Sequence, residues 1–139
     1  MTEKPSLSKA KVLIVDDQAQ MRAFLRAALK GLPVDIVEAG DGLEAMILIE
    51  TEQPDLLLSD YLMPNWDGLT LCYELRKPSD KKPALNISKP LKIVLISGET
   101  TQPMLLEAVN HGVVDAAFHK PVDVHEIRQV VKRLLALDS

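Results

Sequence analysis

Aromatic residues are scarce in this chain, at 4% of 139 positions: one Trp, two Tyr and two Phe. Its interior must be built from Leu, Val, Ile and Ala, and a hydrophobic fraction of 47% supplies them. A single cysteine, Cys72, excludes an intramolecular disulfide and a cysteine metal cluster, and agrees with a reducing compartment. Positive charge is not in excess either. The formal net charge is −4, which argues against a surface built for nucleic acid or an anionic membrane. No run reaches the roughly 20 apolar residues of a membrane span. Residues 1–9 are polar, include Pro5 and lack the apolar core of a signal peptide. Internal repeats and low-complexity tracts are absent. These absences describe a soluble, cytoplasmic protein of one domain, with no nucleic-acid or membrane partner.

What is present is an alternation of short apolar runs and helix-period segments. Lys11–Val15 is a continuous strand-type run that stops abruptly at Asp16 and Asp17. Met21, Phe24, Leu25, Ala28 and Leu29 then follow the spacing of one helix face, with Asp17 placed as the cap and Gly31 and Pro33 at the end. Val34–Glu38 reads as a second strand, and Gly40-Asp41-Gly42 as a turn into a helix reaching about Glu52. Leu56–Leu58 lie in a third strand ending at Asp60. A loop over residues 63–68 precedes a third helix near Leu69–Lys77. Lys92–Ile96 is the fourth strand, a helix near Thr101–His111 follows, and Asp115–His119 is the fifth strand. Asp123 and Glu126 read as a capping box for a last helix with an apolar stripe of Ile127, Val130, Val131, Leu134 and Leu135.

Five strands alternating with five helices imply an α/β fold with a parallel sheet covered on both faces, and the continuous apolar strands agree with that burial. Residues 76–92 break the economy: three prolines and six basic residues stand against Asp80 alone. The expectation there is an exposed basic loop over residues 78–90, either a tolerated insertion or a patch that touches a partner.

The chemistry gathers at strand ends. The first strand ends in Asp16 and Asp17, the third in Asp60, the fourth in Ser97 and the fifth in Lys120. Open parallel sheets bind ligands beyond the carboxyl ends of their strands, so residues a hundred positions apart converge on one rim. Three crowded carboxylates repel one another unless a cation joins them. Oxygen donors without His or Cys suit a hard ion, and an incomplete cage that keeps its waters suits Mg²⁺. With Mg²⁺ and Lys120 the formal charge of the cluster becomes zero. A phosphoryl group can then approach a carboxylate nucleophile, with Ser97 donating to one of its oxygens. Taken singly, each residue has an ordinary explanation: a helix cap for Asp17, turn residues for Asp60 and Ser97, a surface lysine for Lys120. Their joint placement is what favours the site.

The segments Val12–Arg22 (VLIVDDQAQMR), Leu56–Leu69 (LLLSDYLMPNWDGL), Val94–Glu99 (VLISGE) and His119–Pro121 (HKP) resemble the receiver domains of two-component response regulators. The likeness runs from about Lys11 to Ala136. It implies a flavodoxin-like three-layer α/β/α sandwich with strand order 2-1-3-4-5, residues 1–10 forming a tail and residues 11–137 the receiver. It further implies that Asp60 is the phosphoacceptor. Asp17, Asp60 and the backbone carbonyl of Leu62 would hold Mg²⁺, Asp16 would act mainly through water, and Ser97 and Lys120 would bind the phosphoryl oxygens. Lys120–Pro121 matches a peptide that is commonly cis in receivers.

The implied donor is a phosphohistidine on a sensor histidine kinase or histidine phosphotransfer protein, docking beside the first helix. Output would leave through the face of the fourth helix, fifth strand and fifth helix to a downstream protein, with dimerisation on phosphorylation among the family's outcomes. Such a domain is a signalling device that catalyses its own phosphorylation and dephosphorylation, not an enzyme of free substrates. It is expected either to stand alone or to be part of a larger regulator. An unphosphorylated interaction module is the alternative.

Two departures from the family stand out. Ala117 occupies the position of the usual aromatic switch residue, and alternation turns Phe118 to the opposite face. Gly112 lies one residue farther from Lys120 than the common pattern. Leu62 and Glu99 stand where receivers tune hydrolysis of the acyl phosphate, and Leu62 offers attacking water no hydrogen bond. His111, His119 and His125 share no metal-ligand spacing, Cys72 reads as packing, and Trp66 follows the phosphoacceptor as a candidate fluorescence reporter. Two other classes fit less well. A haloacid-dehalogenase-like phosphatase wants an Asp where Leu62 stands. A flavodoxin-like cofactor binder wants a Ser/Thr/Gly-rich loop where Asp16 and Asp17 stand.

Overall fold

The computed structural model describes residues 9–60, 62–63, 66–67, 90–98 and 114–137, with the two short pairs described as backbone. In chain order these form β1 (Ala10–Val15), α1 (Ala19–Ala28), β2 (Val34–Ala39), α2 (Gly42–Glu52), β3 (Leu56–Asp60), β4 (Leu62–Met63), β5 (Trp66–Asp67), β6 (Lys92–Ser97), β7 (Ala116–His119) and α3 (Val124–Leu134). The main sheet is parallel, in the order β2-β1-β3-β6-β7. Leaving aside β4 and β5, which pair only with each other, that is the expected 2-1-3-4-5.

Burial on two faces explains why the central strands are so uniformly apolar. Along β1, β3 and β6 successive side chains alternate between two cores. Leu13, Val15, Leu57, Ile93 and Leu95 pack with Ala45 and Ile49 of α2. Val12, Ile14, Leu56, Leu58, Val94 and Ile96 pack with Leu25 and Ala28 of α1 and with Ile127 and Val131 of α3. The edge strand β2 is only partly covered, which accounts for its weaker pattern.

Helix ends follow local chemistry. The Asp41 carboxylate accepts from Glu44 N at 2.8 Å to start α2, and Glu44 Oε1 accepts from Gly40 N at 2.8 Å. Asp123 caps α3 by accepting from His125 N and Glu126 N. Arg128 of α3 donates to the carbonyls of Ala28 and Lys30, tying α3 to the open end of α1.

Three expectations need correction. Asp17 does not cap α1: Gln18 holds the N-cap position without a side-chain hydrogen bond. Phe24 is 38% exposed and stands outside the buried stripe of Leu25, Ala28 and Leu29. The loop over residues 63–68 contains a short antiparallel ladder, in which Leu62 pairs with Asp67 and Met63 with Trp66. The helices expected near residues 69–77 and 101–111, the loop 78–90 up to residue 89, Cys72, Glu99, His111 and Gly112 lie outside the described residues. No helix among the described residues is long and apolar enough to cross a membrane.

Candidate functional site

Strand register builds the rim. Val15 stands opposite Ser59, which brings Asp16 level with Asp60 at the ends of β1 and β3. Asp60 is opposite Ile96, and Ser97 is opposite His119, so Lys120 emerges one residue beyond that pair. Lys120 N donates to Ser97 O at 2.8 Å, which fixes the start of the turn carrying the lysine. Lys120–Pro121 is cis, as the resemblance implies.

Carboxylate oxygens of Asp16, Asp17 and Asp60 lie within 4.8 Å of one another. Asp16 and Asp60 are buried, whereas Asp17 is exposed. Lys120 Nζ approaches Asp60 Oδ1 to 3.2 Å and offsets part of the negative charge. Burial pushes the Asp16 carboxyl above the usual carboxylate range. The N–H of Gln18, donating to Asp16 Oδ1 at 2.9 Å, pulls it back; Asp60 adds to the rise, Lys120 opposes it, and Asp17 adds a little more. This cluster suits a small hard cation, since every side-chain donor is a carboxylate oxygen.

The structure therefore brings Asp16, Asp17, Asp60 and Lys120 together. Ser97 is fully buried at the same rim, and its Oγ has no hydrogen-bond partner among the described residues. Leu62 lies two residues past Asp60, in β4.

A supporting network was not foreseen from the sequence. Arg22 Nη1 donates to the Asp16 carbonyl at 2.7 Å, while Arg22 Nε meets Glu38 Oε1 at 2.9 Å. Arg26 Nε meets Glu38 Oε2 at 2.7 Å. Arg26 first, and then Arg22, hold the Glu38 carboxyl below its ordinary range against the opposing effect of burial. The i, i+4 spacing of Arg22 and Arg26 was visible; their partner on the neighbouring strand was not.

The sequence pattern of the response regulator receiver domain matches residues 12–132. The chain belongs to this family. The receiver is 30% identical over 129 residues to sporulation initiation phosphotransferase F of Bacillus subtilis (strain 168), covering 93% of this chain and 96% of that protein. It is 40% identical over 74 residues to the probable transcriptional regulator ycf27 of Porphyridium aerugineum, covering 53% of this chain and 31% of that regulator. The receiver thus spans about a third of the length of that relative. Among solved structures, the receiver domain of the Francisella response regulator 1452 superposes with a TM-score of 0.75 at 28% identity, over 91% of this chain and 97% of that one. Membership of this family, a family of signalling modules, sets aside the phosphatase and the flavin-binding classes.

Proposed function

We propose that Asp60 accepts a phosphoryl group from a phosphohistidine on a sensor histidine kinase or histidine phosphotransfer protein, and that the phosphorylated receiver changes its protein contacts. The observation that carries this reading is the convergence of three carboxylates within 4.8 Å, with a lysine 3.2 Å from the acceptor. An Asp60 oxygen attacks phosphorus as the P–N bond to the donor imidazole breaks, and the electron pair leaves on that nitrogen. Lys120, 3.2 Å from Asp60 Oδ1, pairs with a phosphoryl oxygen in this reading. Ser97 brings a hydroxyl proton that is not committed elsewhere among the described residues.

Asp17, Asp60 and the backbone carbonyl of Leu62 are the proposed direct ligands for Mg²⁺, with Asp16 acting through water. When bound, the ion supplies positive charge against the phosphoryl oxygens. Residues 11–137 form the receiver in this reading, residues 1–10 a tail and residues 78–90 a basic loop. The donor docks beside α1, and output uses the face of the fourth helix, β7 and α3. Both placements have a precedent among the relatives: the regulator ycf27, of which 31% is covered, for a larger regulator, and sporulation initiation phosphotransferase F, of which 96% is covered, for a stand-alone receiver.

Incubation with Mg²⁺ and acetyl phosphate, followed by intact mass, tests the proposal. One added phosphoryl group is expected, and none in Asp60→Asn. No addition to the wild type, or equal addition to both proteins, refutes it.

A further inference from the structure

Outside the acidic cluster, one buried polar pair joins Ser97 to a side chain, His119, that has no role in the reading above. Ser97 Oγ and His119 Nε2 are both buried, and neither has a hydrogen-bond partner among the described residues. They are also cross-strand neighbours, paired in the register of β6 with β7. Alternation puts both side chains on the face of the sheet that carries Leu95 and Ala117. By the same rule Asp60 continues the row of Leu56 and Leu58, and Lys120 continues the row of Ala116 and Phe118, on the opposite face. Ser97 is thus the described phosphoryl-binding residue whose side chain belongs to the α2 side of the sheet.

A hydroxyl has one proton to donate and lone pairs that accept. Resting on the phosphoryl reading above, we infer that His119 is a positioning residue for Ser97 in the phosphorylated state. Once the Ser97 proton turns to a phosphoryl oxygen, its buried lone pairs face the imidazole across the strand pair. Nε2–H of His119 donates to Ser97 Oγ, and two unsatisfied groups become one hydrogen bond. A buried polar group without a partner is costly, and the phosphoryl group removes that cost for both residues in one step. The contact carries the state of Asp60 from one face of the sheet to the other. It does so in a chain where the position two residues before His119 is Ala117 and offers no ring to swing.

The test uses the full chain, ¹⁵N-labelled, with Mg²⁺ and beryllofluoride as the phosphoryl probe. Bound fluoroberyllate is followed by ¹⁹F resonance, and the imidazole nitrogens by histidine NMR, with His119→Gln identifying the signal of interest. Saturation is expected to fix the Nε2–H tautomer of His119 and slow exchange of its proton, and Ser97→Ala is expected to abolish that change. His119→Leu should weaken fluoroberyllate binding about 3- to 10-fold, the worth of one hydrogen bond. His119→Gln, which keeps a donor, should recover most of the loss. A saturated site with an unchanged His119 signal overturns this inference alone, as does wild-type affinity in His119→Leu. A wild-type protein with no bound fluoroberyllate signal overturns the phosphoryl reading and this inference with it.

Discussion

Removing the charge of Asp16 should stabilise the metal-free protein, although the residue stands at the centre of the proposed site. Two unit charges 4.8 Å apart, the widest separation within the cluster, repel by about 3.5 kcal/mol at an effective dielectric of about 20, and by about 0.9 kcal/mol in water. Asp16 is buried and faces both Asp60 and Asp17, so its repulsion exceeds the value in water, and Lys120 offsets part of it. Asp16→Asn keeps the oxygen that accepts from Gln18 N and deletes the charge. A gain of about 1–2 kcal/mol at pH 7 without Mg²⁺ is expected, raising the melting midpoint by about 3–8 °C.

The pH dependence gives the sign of the effect. The folded-state pKa of Asp16 is raised above its ordinary value of 3.8, so the folded protein binds the proton more tightly than the unfolded chain does. The destabilisation is therefore complete above the folded-state pKa and fades as pH falls toward 3.8, so the advantage of the variant must shrink in acid. Mg²⁺ should shrink the variant's advantage. The wild type gains about 1.4 kcal/mol at ten times the dissociation constant, and the variant gains less. Chemical denaturation at several pH values, with and without Mg²⁺, measures each quantity. An Asp16→Asn protein no more stable than wild type at pH 7, or an advantage that persists unchanged in acid, refutes the crowding argument.

Glu38→Gln should show the opposite pH behaviour. Two arginines depress the Glu38 pKa, so its contribution is present above 4.5 and is lost as pH falls through the lowered folded-state value. With the carboxylate 28% exposed, the cost of the change is about 0.5–1 kcal/mol at pH 7, reduced by salt; a variant as stable as wild type at low salt would count against it. Arg128→Ala removes donors from the Ala28 and Lys30 carbonyls, and should cost about 1–2 kcal/mol by chemical denaturation, with Lys restoring only part of it. Leu62→Asn offers attacking water a hydrogen bond and should speed loss of the phosphoryl group, followed by intact mass; equal decay rates would remove Leu62 as a determinant.

The sheet was legible because the middles of β1, β3 and β6 are buried on both sides, and such stretches are continuous apolar runs. The rim was legible for the same reason: a charge directly after such a run can only lie at the end of the strand. Asp17 was misread because an acidic residue before a helix fits a cap and a metal ligand equally well. In the fold the Asp16 carboxylate takes the N–H of Gln18, while an oxygen of Asp17 stays within the cluster. Phe24 was misread because helical spacing alone cannot say how wide the buried stripe is.

Pairings between strands are a different matter, since nothing local announces them. Ser97 meets His119 because of register, and that register is pinned at both ends of the β6–β7 pair. At one end Asp115 Oδ2 accepts from Ile93 N at 2.7 Å, and Asp115 N donates to Ile93 O at 2.8 Å. At the other end Lys120 N donates to Ser97 O at 2.8 Å. Between them Ala117 packs in one core while Ala116 and Phe118 pack in the other. A slip of one residue would exchange those faces, set Phe118 or Lys120 opposite Ser97, and carry the lysine away from Asp60. The apolar alternation that fills the two cores is therefore also what aims the lysine at the proposed phosphoacceptor and sets the imidazole beside the serine.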